Sequence, residues 1–401
     1  MSKPELVSPA GDWAMLTAAI NAGADAIYFG LKQLNMRITA NNFELSELKK
    51  VVDYCHKNKV KAYLCLNTII YENELEKLRH ILREAKKSKV DAVICWDFAV
   101  IDECRKLNIP THLSTQASVS NSKSANFFKK LGVKRIVLAR ECSLEQIKEI
   151  KKDSKVEIEV FVHGAMCVSI SGRCLISEEL HGKSANRGEC IHPCRRQYKI
   201  INEDTGKELK IGNNFILSAK DLCALPFLDK LIDLGINAFK IEGRNKNPEY
   251  VQVVTECYRE IIDFYLKNKK IEKNIIDKNL KKLKTVYNRD FSSGFFLGLP
   301  TDKEFTNTEG SKAIEKKSYV GFVKNYYKKI KVSEIKIQNQ PIKTGDLIRV
   351  EGSKTGTFKQ KITSMEFNHK KISKAEKGKN IAVKMEKEVR INDKVFLIIS
   401  N

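Results

Sequence analysis

No run of about eighteen apolar residues occurs anywhere in the chain, which argues against a membrane-spanning helix. The opening residues, MSKPELVSPAGDW, lack the basic-then-apolar layout of a secretory leader. The expected location is therefore the cytoplasm, with no membrane partner. Thiols stay reduced there, so a disulfide framework is not expected and ligand chemistry becomes the more natural use of cysteine. No Gly-x-Gly-x-x-Gly follows the first apolar run, which disfavours a doubly wound dinucleotide-binding sheet. Neither His-Glu-x-x-His nor Gly-x-Ser-x-Gly is present. HGKS at His181–Ser184 is only a fragment of a phosphate loop, because the glycine five residues before Gly182 is missing. A Ser/His/Asp triad is recognised by geometry and leaves no spacing to find.

What is present is basic charge and cysteine. The 401 residues carry a net charge of +23 and eleven cysteines. Residues 311–401 hold 22 Lys and Arg against 9 Asp and Glu. A basic lobe on a less basic body points to a polyanion, most simply a nucleic acid. The bland alternative is a lysine-rich composition throughout.

Residues 1–245 repeat a short apolar run, a polar break and an amphipathic stretch. The runs are Leu6-Val7, Ala26–Phe29, Ala62–Leu66, Ala92–Cys95, His112-Leu113, Ile136–Leu138, Ile158–Val162 and Ala238–Ile241. Eight such strands alternating with helices predict an α/β fold, a (β/α)8 TIM-like barrel. Chemistry in that fold sits at the C-terminal mouth. The polar residues after successive runs include Asn67, Asp97, Ser114-Thr115-Gln116, Arg140, His163-Gly164, Glu242 and Arg244. Each has a bland alternative: Asp97 and Ser114 as helix caps, Glu242 and Arg244 as an ion pair. The expected divisions are 1–270 for the barrel, with a Cys-rich loop at 163–198, then a helical and aromatic/Gly-rich extension at 271–316. A small basic all-β barrel domain at 317–401 completes the chain. The lysine-dense stretch Lys370–Lys379 reads equally as a nucleic-acid contact or a solvated hairpin tip.

Four cysteines crowd one segment, Cys167, Cys174, Cys190 and Cys194, with a fifth at Cys223. Zinc sites favour two close pairs, and only one pair here is close. A [4Fe–4S] cluster accepts wider spacing because its ligands can come from separate loops. The remaining cysteines lie in periodic apolar segments and read as buried packing.

The run EVFVHGAMCVSISGRCLIS resembles the signature of peptidase family U-32, the collagenase-like peptidases. PELVSPAGDWAMLTAAINAGADAIYFG, RIVLAREC, GECIHPCRRQY, LSAKDLC, FKIEGRNK and YNRDFSSGFFLG match in the same order, from residue 4 to about 300. The chain is most similar to the branch that hydroxylates tRNA. That resemblance implies conversion of a wobble uridine to 5-hydroxyuridine, a [4Fe–4S] cluster and involvement of prephenate. It places cluster ligands at Cys167, Cys174 and Cys190. Cys223 is favoured as the fourth and Cys194 is its local rival. It also implies Arg140, Glu242 and Arg244 as holders of a small carboxylate co-substrate, since Arg pairs bidentately with carboxylates. His163 then serves as an acid/base or orienting group or, more blandly, is a hydrogen-bonded histidine of the rim. Asn67, Asp97 and Gln116 line the substrate, while Arg195 and Arg196 meet thiolate or phosphate. The implied partners are tRNA and, as in some family members, a second copy or a paralogue. The family name keeps a competing expectation, a protease, and a third is an RNA-binding protein with a structural cluster.

Overall fold

The strands of the first half are mostly buried on both faces, and most intervening helices carry one apolar stripe. In the second long helix, Leu48, Val51, Val52 and Cys55 are the buried positions, the i, i+3, i+4, i+7 pattern of a helix laid on a sheet. The computed structural model describes residues 3–209 and 215–400. Strand and helix alternate as β1 (Glu5–Ala10), α1 (Trp13–Asn21), β2 (Ala26–Gly30), α2 (Leu48–Lys57), β3 (Lys61–Cys65), α3 (Leu75–Ser88) and β4 (Ala92–Cys95). They continue as α4 (Phe98–Lys106), β5 (Thr111–Leu113), α5 (Ser122–Lys130), β6 (Val133–Val137), α6 (Leu144–Asp153) and β7 (Glu157–Ala165). A long excursion follows, with α7 (Ile176–His181) and a hairpin of β8 (Ile200–Ile201) and β9 (Glu208–Leu209). Then come β10 (Asp221–Cys223), α8 (Leu228–Asp233) and β11 (Ala238–Ile241).

Strands β1 to β7 pair in parallel, each with the next, and β11 pairs in parallel with both β1 and β7. The ring is therefore closed, an eight-stranded (β/α)8 barrel. The eight apolar runs are its eight strands. β10 is an addition: it pairs antiparallel with the end of β7, and β12 (Phe291–Ser292) pairs with β10. Between them run α9 (Pro248–Asn268) and α10 (Lys273–Leu283). Asn247 caps α9 through Tyr250 N, with Pro248 in the first turn.

The interior of the barrel holds a small apolar cluster, with Val7, Tyr63, Cys65 and Ile94 among its members, together with buried charges. Glu159 is fully buried and pairs with Lys240 at 2.8 Å and Arg135 at 3.3 Å, and Arg135 reaches Glu5 at 2.6 Å. Ile158, Val160 and Val162 of β7 instead join the core shared with the helices. Alternation along β7 places Glu159 and Phe161 inside and Ile158, Val160 and Val162 outside.

The C-terminal sheet has its own core, including Val320, Ile335, Ile348 and Val395. Its strands are β13 (Glu315–Tyr327), β14 (Val332–Ile337), β15 (Ile342–Lys343), β16 (Leu347–Gly352), β17 (Gly356–Lys361) and β18 (Met365–Phe367). β19 (Lys370–Ile372), β20 (Lys374–Ala375), β21 (Asn380–Lys384) and β22 (Lys394–Ser400) complete it. The antiparallel order is β17-β16-β22-β13-β14-β21-β18-β19, with β15 and β20 forming a separate ladder. Ile330 lies in the turn into β14 and is 62% exposed. The sheet is fastened to the barrel by buried polar contacts. Thr17 Oγ1 of α1 donates to Ser353 O at 2.7 Å, and Arg349 Nε lies 3.1 Å from Glu249 of α9. Among the described residues no helix is long and apolar enough to cross a membrane.

Candidate active site at the barrel mouth

Two adjoining cavities occupy the C-terminal end of the barrel. The inner one, about 40 Å³, is enclosed by barrel-end residues that include Tyr28, Asn67, Gln116, Phe161 and Glu242. Four cationic side chains line it, Arg37, Arg140, Lys240 and Arg244, against the single carboxylate of Glu242. The outer cavity, about 90 Å³, is lined by Cys167, Cys174, Cys190 and Cys194 together. Arg37, Arg140 and Gln116 line both, so the cationic chamber and the thiol chamber share a wall.

Glu242 organises the inner chamber. Arg37 Nε and Nη2 both lie 3.2 Å from its Oε1, and Arg140 Nη2 is 3.8 Å from Oε2. Burial alone would raise this carboxyl. Arg37, Arg140 and Arg244 together hold it below its ordinary value. Arg244 donates to Asn35 Oδ1 at 3.0 Å, and Arg140 donates to Ala165 O at 3.0 Å while lying 4.0 Å from the centre of the Phe161 ring. The Nε–H groups of Arg140 and Arg244 are buried without a hydrogen-bond partner among the described residues. Such groups are costly to leave unpaired, and an anion in the chamber would pair them. Gly30 is required for this packing: a Cβ there would stand 2.6 Å from Arg244 Nη1 and 2.8 Å from Asn35 Cγ.

The thiol chamber is built by irregular chain after β7. Ser171, His192 and Gly188 adopt positive φ, and a Cβ on Gly188 would meet Asn35 O at 2.3 Å. The loop is thereby pressed onto the segment that carries Arg37. Burial raises the Cys190 and Cys194 thiols. Arg37 opposes this at Cys190 and Arg195 at Cys194, while the neighbouring thiols raise both further. Arg195 also ties the loop down, donating to Ala219 O and Met166 O. Among the described residues no three His, Cys, Asp or Glu side chains converge on a point where one metal ion would be held. The four sulfurs surround a volume instead.

Of the residues expected at the site, Asn67, Gln116, Arg140, Glu242, Arg244, Arg195 and four cysteines are brought together. Asn67 Oδ1 accepts from Met36 N at 3.2 Å, and Gln116 Oε1 accepts from Ser114 Oγ. Asp97 stands apart. Its oxygens accept from Ala99 N at 2.9 Å and Ile70 N at 3.0 Å, so it caps α4 and holds a loop. Arg196 is exposed and lines neither chamber. His163 is 2% exposed and packs against Tyr250, Tyr258 and Phe291, lining neither chamber. The register between β7 and β11 shifts next to it, where the ring meets α9. Burial, and then Lys246, lowers its pKa to about 3, so the ring is neutral. Cys223 lies opposite His163 on β10 and outside both chambers. Its thiol faces Tyr258 Oη at 3.9 Å and is pushed up to about 11 by burial. The preference for Cys223 over Cys194 as fourth ligand thus runs against the placement of the thiols.

The model of peptidase family U32 matches residues 11–306. This chain belongs to peptidase family U32. Its U32 relatives carry divergent names. A protein called an uncharacterized protease, from Methanocaldococcus jannaschii, is 42% identical over 98% of both chains. A Porphyromonas gingivalis collagenase is 37% identical over 98% of this chain and 97% of its own. A Bacillus subtilis tRNA hydroxylation protein is 34% identical over 90% of this chain and 87% of its own.

Two cations escaped the strand-end reading, Arg37, which lines both chambers, and Lys246, which lines neither. Arg37 lies in the long β2–α2 connection, away from any strand end, and only the closing of the ring delivers it to Glu242. Lys246 stands two residues past Arg244, with its Nζ 3.2 Å from the centre of the Tyr287 ring. Burial lowers its pKa to about 7. The sole sequence signal for either was a cation inside a polar loop.

Proposed function

We propose that the protein modifies RNA, hydroxylating the wobble uridine of tRNA to 5-hydroxyuridine with prephenate as a carboxylate co-substrate and a [4Fe–4S] cluster as cofactor. The observation that carries this reading is the shared wall between a four-thiol chamber and a chamber with a surplus of arginine. Thiols set around a volume are a donor set suited to a polynuclear cluster, and Arg37 and Arg195 offset part of the negative charge that such a site accumulates. Cys167, Cys174, Cys190 and Cys194 would hold it. When bound, such a cluster supplies one-electron chemistry.

The chain's own residues do the rest. Arg140 and Arg244, each with a buried Nε–H unpaired among the described residues, bind and orient carboxylates in the inner chamber. Glu242 remains ionised and keeps the three guanidiniums from separating. Phe161 and Tyr28 wall the inner chamber and limit its water. The mouth takes a uracil only when the base leaves its stack, which an anticodon loop permits at low cost. The B. subtilis relative's name supports the tRNA reading.

Two measurements test it. Anaerobically purified protein is expected to hold about four irons and four acid-labile sulfides per chain. Mass spectrometry of tRNA from cells lacking the gene is expected to show loss of 5-hydroxyuridine, restored by wild type and reduced at least tenfold with Arg140→Lys. Unchanged tRNA would reject the hydroxylase reading.

A second reading, peptide hydrolysis, is favoured by the collagenase relative. The buried Cys223, His163 and Tyr258 give it little support, since the thiol is pushed up and the imidazole down, opposite to an activated pair. Gelatin cleavage by iron-free protein would establish it.

A further inference from the structure

The C-terminal sheet carries an open groove of about 1050 Å³ across β14, β21 and β18. It lies toward the end of the sheet opposite β17, the strand that abuts α1 and α9. The groove is therefore distinct from the barrel mouth. Two aromatic rings line it. Tyr327 is 47% exposed, and Phe367 has Lys379 Nζ 5.1 Å from its ring centre. One rim is the β13–β14 turn, with Lys328, Lys329 and Lys331. The other is the β18–β21 segment, with Lys370, Lys371, Lys377 and Lys379. Its β18–β19 turn is made by Asn368 and His369, both at positive φ. Lys336 and Lys384 lie on the groove itself.

Most of this charge is unspent. Among the described residues, Lys329, Lys331, Lys370, Lys371, Lys377 and Lys379 have no carboxylate within ion-pair distance; Lys328 meets Glu388 at 3.6 Å. Of the lysine-dense stretch 370–379, Gly378 and Lys379 line the groove itself, and Lys370, Lys371 and Lys377 stand on the strand and turn beside it.

We propose that this groove docks a single-stranded segment of RNA, its bases stacking on Phe367 and Tyr327 and its phosphates lying along the lysine rims. The inference rests on the RNA reading above and adds where, outside the catalytic mouth, the RNA is held. The acidic groups on the floor choose between RNA and an acidic peptide. Glu334 and Glu366 would repel a peptide carboxylate, whereas a base can donate its exocyclic amine to them. A groove this far from the barrel mouth also demands an extended partner, as a folded tRNA is and a mononucleotide is not.

The test uses the full-length protein and a dye-labelled, unmodified tRNA transcript, read by fluorescence anisotropy. Phe367→Ala is expected to weaken binding roughly fivefold or more, with Phe367→Trp restoring it. Lys379→Ala is expected to lower the slope of log K against log salt by about 0.7, the share of one phosphate on a single strand. Wild-type binding with neither Phe367→Ala nor Lys379→Ala altering it overturns the groove and leaves the RNA reading standing. A loss with Lys379→Ala but not with Phe367→Ala overturns stacking, and with it the single-stranded ligand. Competition by polyglutamate at the same charge concentration overturns the choice of RNA over an acidic peptide. No wild-type binding to tRNA overturns the RNA reading itself.

Discussion

Cys194 and Cys223 differ in what surrounds their sulfurs. Cys194 lines a chamber with three other thiols and has Arg195 beside it, while Cys223 is sealed behind β7 with a tyrosine hydroxyl. Cys194→Ala is therefore expected to abolish most bound iron, and Cys223→Ala to retain it, as measured by iron and sulfide content after anaerobic purification. His163 makes a separate prediction. Its ring titrates at about 3 when folded, against an ordinary value of 6.5, so the unfolded chain binds the proton first. Its contribution to stability is complete above about pH 6.5 and is lost as pH falls towards 3. The maximum slope from this single proton is about 1.4 kcal/mol per pH unit. Urea denaturation of wild type and His163→Phe at several pH values in that window is expected to show the wild type losing more stability.

At the scale of elements, α9 joins the barrel to the C-terminal sheet through Glu249. Arg349 of β16 is 2% exposed and has Glu249 at 3.1 Å, with Lys317 of β13 at 3.6 Å from the same carboxylate. Among the described residues, Arg349 keeps Thr357 Oγ1, at 3.2 Å, as its one side-chain partner if Glu249 is removed. Glu249→Ala is expected to cost about 3 kcal/mol by stranding a buried guanidinium, visible as a lowered urea midpoint. Glu249→Ala combined with Arg349→Met is expected to recover much of that loss, because the uncompensated charge goes too. Glu47→Gln, by contrast, changes a half-buried carboxylate that closes the capping box of the turn before α2 and accepts from Trp13 Nε1 at 2.7 Å; a glutamine oxygen keeps one of these bonds, and the effect is expected to stay within about 2 kcal/mol.

For the whole molecule the governing quantity is charge. The net +23 is distributed unevenly, with much of the surplus on the C-terminal sheet. Binding to tRNA is therefore expected to fall roughly tenfold or more between 50 and 200 mM salt, which three neutralised phosphates suffice to produce. Anisotropy titrations at four salt concentrations check this. A flat response would mean that the charge is compositional and meets no polyanion.

The repeating pattern of apolar run and amphipathic stretch was enough, in the sequence alone, to determine the barrel, because burying a strand on both faces and a helix on one dictates the spacing of apolar residues. Strand-end position likewise marked Asn67, Gln116, Arg140, Glu242 and Arg244, since barrel topology brings strand ends to one rim whatever the loops do. Strand-end position also marked Asp97 and His163, whose side chains line neither chamber. Direction of the side chain, not position along the strand, decides whether a residue faces the mouth. Asp97 turned to cap α4, and His163 met α9 beside a register shift. The gathering of Cys194 with three other thiols, the arrival of Arg37, and the groove beside Lys370–Lys379 were decided only by tertiary structure. Each joins segments far apart in the chain, and their meeting depends on how irregular loops pack, which leaves no periodicity to read.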